Sequence, residues 1–173
     1  MKKILSFLLV SILALSLFGC GNKQQAANSQ PAENKEHKIY KQGEEAFITD
    51  SSGKQMYSLK INGVKTANDF EYKKDFPETT KQIVEVDYTY KNIAKNDEGK
   101  LFIHGTDLQL MDGTGAVAQS SSMFPKEKPQ KIDIGVNCSV QGYYGLKNKS
   151  DKVKIIFNSA TYKKTITFEV PVN

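Results

Sequence analysis

The chain of 173 residues contains no Arg and no Trp, and its two Cys stand far apart at positions 20 and 138. All 24 basic residues are Lys, against 19 acids, for a formal charge of +5. Such a charge would suggest a nucleic-acid partner, but the missing guanidinium argues against it. Arg grips phosphate and guanine edges with a bidentate fork, whereas Lys is a point charge. No apolar run reaches the ~20 residues that a membrane helix needs. No window of 12 or more residues shows an amphipathic helix, and no internal repeat is visible. At 39% hydrophobic and 25% charged, the chain is neither disordered throughout nor a multi-span membrane protein. Its length suits one domain and a tail.

What is present begins with an address. Met1-Lys2-Lys3 is a short basic start, and residues 4–18 (ILSFLLVSILALSLF) carry no charge. That pattern is a secretory signal. It runs into Leu17-Phe18-Gly19-Cys20, which resembles the lipobox of bacterial lipoproteins: Leu, a variable residue, a small residue, then Cys. The resemblance implies cleavage after residue 19 and a diacylglycerol thioether on Cys20. It places the chain, with its acyl chains (palmitate and the like), on the outer face of the cytoplasmic membrane. A single acyl chain binds marginally, at roughly 10⁴ M⁻¹, while two hold stably. Residues 20–38 continue as the lipidated Cys and a polar tether rich in Gln, Asn, Ala and Lys, with no Val, Ile, Leu, Phe or Tyr. It has too little apolar surface to offset ordering, and its 18 residues after Cys20 would span about 23 Å as a coil. Without signal and tether, residues 39–173 hold 19 Lys against 17 acids, only +2. This mild charge suits an anionic membrane or wall and no longer supports nucleic acid, against which the missing Arg also speaks.

The remaining 135 residues have a hydrophobic period of two. Val84, Val86, Tyr88 and Tyr90 alternate with Glu85, Asp87, Thr89 and Lys91. Over 132–146 the even positions (Ile132, Ile134, Val136, Cys138, Val140, Tyr144, Leu146) form the apolar face, and the odd ones, Tyr143 among them, face water. Ile166, Phe168, Val170 and Val172 alternate likewise, and shorter runs lie near 46–49, 57–61, 108–110, 116–118 and 153–157. Asp50-Ser51-Ser52-Gly53, Asp112-Gly113-Thr114-Gly115 and 147–152 (KNKSDK) carry turn chemistry. The expectation is one all-β, immunoglobulin-like antiparallel sandwich of about seven to eight strands.

Three segments carry a resemblance. They are 84–92 (VEVDYTYKN), 108–113 (LQLMDG), and Ile134-Gly135 followed by Gly142-Tyr143-Tyr144-Gly145-Leu146. They resemble the single-domain, immunoglobulin-like lipoproteins and secreted proteins of Gram-positive-type bacteria, related to a secreted immunoprotective antigen, some of them misnamed after telomeric repeat-binding factor. The family pattern is a strand ending in Asn, a strand ending in Asp-Gly, and a Gly-x6-Gly strand entry, here over residues 40–172. The Pro common before the first Gly is Ile134 here. The resemblance implies the fold; the family has no common activity.

The candidate chemistry is sparse. Cys138, on the apolar face, reads as a buried thiol, since its one partner in the chain, Cys20, is expected to be lipidated. His104 is the only His of the domain and the only base available to a hydrolase. His37 and His104 fit no zinc spacing. Asp97-Glu98-Gly99 and Asp112-Gly113 could offer calcium oxygens, but no EF-hand pattern is present, and turn formation is their expected role. No nucleophile elbow, His-Glu-x-x-His or phosphate loop occurs. Aromatic residues stand in polar surroundings instead: Phe70, Tyr72 and Phe76 in the connection 66–81, Phe124 in 119–131, and Tyr143. They either plug the ends of the sandwich or form a partner-contact surface ringed by Lys73, Lys74, Lys126 and Lys128. The expected function is a non-catalytic, monomeric binding module at the cell envelope, with no metal and no cofactor beyond the lipid on Cys20. Its partner would be a protein, a peptide or a cell-wall component. The alternatives are an envelope hydrolase using His104, or an inhibitor or stress-sensor accessory.

Overall fold

The fold is taken from a computed structural model describing residues 38–95 and 99–173. The signal, Cys20, the tether to residue 37, and Asp97 and Glu98 lie outside the described residues. The strands are β1 (Ile39–Tyr40), β2 (Glu45–Thr49), β3 (Gln55–Thr66), β4 (Gln82–Asn92), β5 (Leu108–Met111), β6 (Gln119–Ser120), β7 (Asn137–Leu146), β8 (Lys152–Ser159) and β9 (Lys164–Pro171). They form a four-stranded sheet, β1-β9-β8-β5, and a five-stranded sheet, β2-β3-β4-β7-β6. The two pack as a β-sandwich. All pairings are antiparallel except β1 with β9. Among the described residues helix is limited to single 3-10 turns at Lys73–Asp75 and Gly105–Asp107.

Alternation puts the core between the sheets. Val84, Val86, Tyr88 and Tyr90 of β4, Val140, Tyr144 and Leu146 of β7, and Ile155, Phe157, Phe168 and Val170 of β8 and β9 are all buried in one cluster. The inner tyrosines bring hydroxyls into an apolar layer, where each needs a partner. Tyr88 donates to Ile103 O, Tyr90 to Gln130 O and Tyr144 to Gly105 O. Burial pushes all three phenols up from their ordinary range. These bonds tie segments 103–105 and 130 to the sheet. A bulge at Ile61/Gly63 lets both Ile61 and Val64 face inward. A parallel bridge, Val64 to Val172, joins the two sheets at one corner.

The strand expected over 132–146 begins only at Asn137. Gly135 takes φ +84 and turns the chain, so Ile134 and Val136 are exposed where alternation placed them inside. The run at 116–118 forms only an isolated bridge, Met111 to Val117. The Asn of the strand-end motif, Asn92, is buried and donates from Nδ2 to Ile132 O at 3.2 Å. Cys138 is unpaired and buried, with Sγ 3.7 Å from the carbonyls of Lys128 and Ser139.

The two ends of the sandwich follow from the pairing. Tyr57 pairs with Asn92 and Lys91 with Asn137, so the β2–β3 turn, the end of β4 and the start of β7 share one end. β9 runs parallel to β3, which puts the β8–β9 turn there too. The connection 66–81, the β7–β8 turn and the Asp112 turn lie at the other.

Candidate functional site

The outer face of the five-stranded sheet is written in polar residues, yet part of it is roofed. Phe70 from the connection after β3 lies flat on Tyr143 of β7, and with Phe76 and Ala67 these form a second buried cluster, flanked by Tyr72 and Ile83. The Phe70 and Tyr143 rings stack at 4.2 Å and 17°. Phe70 also meets Phe76 at 5.9 Å and Tyr72 at 5.7 Å. Gly145 seats the roof: a Cβ there would stand 2.8 Å from Phe76 Cδ1 and 3.0 Å from Thr80. The absence of a side chain allows this approach.

Tyr143, expected to face water, is therefore only 3% exposed, and Phe70 and Phe76 are buried with it. Tyr72 and Phe124 are half-buried. Phe124 lies apart from the roof, its ring 4.9 Å from that of His104 in a T-shaped contact. The five aromatics thus divide into a roof and an isolated ring, and three of them are removed from any exposed contact surface. They close a sheet face and not, as the plug reading held, an end of the sandwich.

Beside the roof sits a residue that sequence reasoning passed over. Glu85 belongs to the polar set of β4 but is 4% exposed. Its Oε2 accepts from the Tyr143 hydroxyl at 2.9 Å, and its oxygens lie 3.0 Å from Lys65 Nζ and 3.4 Å from Lys126 Nζ. Burial pushes this carboxyl up, but the Lys65 and Tyr143 hydrogen bonds outweigh it, and the group is held below its ordinary value. Glu85 so ties β4 to β3, to β7 and to segment 119–131. Burial and the same carboxylate push the Tyr143 phenol up.

Beside the roof the same face carries a groove of about 260 Å³, lined by Asn62, Lys65, Glu85, Asp87 and Gln141 among others. Asn62 Nδ2 donates to Asp87 Oδ1 at 2.8 Å and to Thr89 Oγ1 at 2.9 Å, and Thr89 meets Ser139 Oγ at 3.2 Å. Gln141 Oε1 is buried without a hydrogen-bond partner. An unsatisfied buried acceptor of this kind calls for a donor from water or a ligand. The signal in the sequence was Tyr143 and Gly145 on an otherwise polar strand face, an aromatic and a gap side by side.

His104 and Asp112 each make hydrogen bonds that hold a turn. His104 Nδ1 accepts from Thr106 N at 3.2 Å and lies 2.9 Å from Thr106 Oγ1, while Asp107 Oδ2 accepts from His104 N. This is a reciprocal cap of the short turn. Asp112 Oδ1 accepts from Thr114 N, Thr114 Oγ1 and Ala116 N, and Oδ2 from Asn148 N and Nδ2. Burial raises its pKa, but the Thr114 and Asn148 bonds lower it below the ordinary value. With five donors on it, Asp112 organises two turns. Among the described residues no group of three or more His, Cys, Asp or Glu is placed to hold a metal ion.

No family model matches the chain, and no curated protein matches it. Among solved structures it is similar in fold to MPT63, a secreted protein from Mycobacterium tuberculosis, with a TM-score of 0.56 and 15% identity, over 78% of this chain and 97% of that one. That likeness concerns the sandwich alone. No helix among the described residues is long and apolar enough to cross a membrane.

Proposed function

We propose that the chain is a lipid-anchored extracytoplasmic lipoprotein whose sandwich is a non-catalytic binding module at the cell envelope. The lipobox motivates the anchor on Cys20. The resemblance to the immunoprotective-antigen lipoproteins supports the same address, and MPT63 is itself described as secreted. The observation that carries the binding role is Gln141, whose Oε1 is buried without a hydrogen-bond partner and whose side chain lines the groove beside Lys65, Glu85 and Asp87. Asn62, Asp87 and Gln141 offer both donors and acceptors to a neutral or amide-bearing partner, a peptide or a cell-wall component. The flanking Glu85 cluster fixes the groove before anything binds, and such preorganisation lowers the entropic cost of association.

The test has two arms. The mass of the mature protein extracted from membranes reports the diacylglyceryl group on Cys20, and an unmodified thiol there ends the anchor reading. Capture from a solubilised envelope fraction is then compared between the natural chain and a Gln141→Leu, Asn62→Ala variant of equal thermal stability. Loss of the captured component in the variant supports the groove. Equal capture by both, or none by either, removes it.

A further inference from the structure

The end of the sandwich at which the chain enters differs from the opposite end in what it exposes. β1 begins at Ile39, beside Thr167 of β9 and parallel to it, and β9 rises from the β8–β9 turn. Lys38 therefore enters from the side of that turn, with 37 residues of chain before it. Three large apolar side chains stand exposed around this end: Phe102 at 42%, Ile134 at 48% and Val136 at 46%. Two hollows meet there and share Thr161 and Tyr162. One is walled by Phe102 and Leu101, the other by Met56, Lys95, Lys163 and Lys164. The described acids of this end accept hydrogen bonds or a Lys within the fold, although Asp50 and Asp107 also line the two hollows. Asp50 accepts from its own turn, Asp107 from His104 N, and Asp133 is paired with Lys100 at 3.1 Å.

One further detail sets this end apart. Lys163 is the only described non-glycine residue at positive φ, at 51. It closes the four-residue hairpin loop at the position where Gly is the usual occupant. A residue with a side chain is strained there, and Lys places an ammonium at the tip.

We propose that this entry end is a docking foot for an anionic lipid surface: Phe102, Ile134 and Val136 enter the headgroup layer, and Lys95, Lys163 and Lys164 meet the lipid phosphates. The inference rests on the anchored reading, in which the lipid on Cys20 joins the domain to the bilayer through the 18 residues 21–38. Apolar side chains flanked by Lys are the composition of interfacial contacts. Each Lys near an anionic surface strengthens binding about fivefold. The roofed face and the Asp112 turn then stay clear of the membrane for other contacts.

Amide hydrogen exchange tests this on the mature lipid-bearing protein in vesicles of phosphatidylcholine alone or of equimolar phosphatidylcholine and phosphatidylglycerol. Segments 100–104, 133–136 and 160–164 are expected to slow on the anionic vesicles, and 67–81 and 147–151 to stay unchanged. Lys163→Gly with Lys164→Ser is expected to abolish the difference. Lys163→Gly alone relieves the turn, so the melting temperature holds or rises, which separates lost docking from lost folding. A mature chain with Cys20→Ser, at saturating anionic vesicles, is expected to show the same footprint without any anchor. A lipid on Cys20 with no footprint overturns the foot and leaves the anchor standing. A footprint on the Cys20→Ser chain, with no lipid on the natural protein, does the reverse. Slowing at 67–81, or the same footprint from a soluble polyphosphate in the absence of vesicles, also overturns the foot.

Discussion

The two faces of the five-stranded sheet are built from the same strands and share a residue type, yet they use it differently. On the inner face Tyr88, Tyr90 and Tyr144 are held by packing, and their hydroxyls go to neutral backbone carbonyls. On the outer face Tyr143 is held between an aromatic roof and a buried carboxylate with two Lys on it. The inner face is closed by a second sheet. The outer is closed in part by the connection 66–81, and a groove stays open beside it. Alternation decides which residues share a face, but it does not decide which face meets water. A second layer can come from a loop.

Substitutions on either face separate the two ways of holding a tyrosine. Tyr88→Ala empties the inner layer and strands the Ile103 carbonyl, so urea unfolding should show a loss of about 3–5 kcal/mol. Glu85→Gln keeps the shape but removes the charge that holds two Lys and the Tyr143 hydroxyl. A loss of about 2 kcal/mol is expected by the same measurement. The pH dependence gives its sign independently. Because the folded Glu85 pKa is lowered, its contribution is present above the ordinary Glu value of about 4.3 and is lost as pH falls through the lowered value. Stability measured downward from pH 5 should therefore fall less steeply in Glu85→Gln than in the natural chain. Gly145→Val drives Phe76 and Thr80 off the sheet, at about 1–3 kcal/mol, with faster exchange confined to 67–81. Tyr143→Phe removes a single hydroxyl and leaves the stack, so about 1 kcal/mol is expected.

Much of this was legible in the residues. The runs at 84–91 and 166–172 place β4 and β9 within two residues, because each has one apolar face and turn residues around it. Asp112 could be read as a turn former, since Asp-Gly-Thr-Gly supplies an acceptor and its donors locally. The reach of its second oxygen to Asn148 could not, as that contact spans 36 residues. Ile134 and Val136 were misplaced because alternation was carried through Gly135, whose φ of +84 interrupts the strand. Glu85 and Gln141 escaped notice for a related reason. A carboxylate or amide at an outward position reads as solvated, and nothing local states that Glu85 is enclosed by Tyr143, Lys65 and Lys126. The aromatics of 66–81 were visible as anomalies, but nothing local states that their partner is Tyr143, some 70 positions on.

The outer cluster acts as a structural roof and not as an exposed contact surface, and Phe70→Ala distinguishes the two. Equilibrium urea unfolding of that variant should show a stability loss of about 3 kcal/mol with an unchanged denaturant slope, since Phe70 stacks on Tyr143 and touches both other rings of the roof. An unchanged midpoint, together with lost capture of the envelope component, would contradict it.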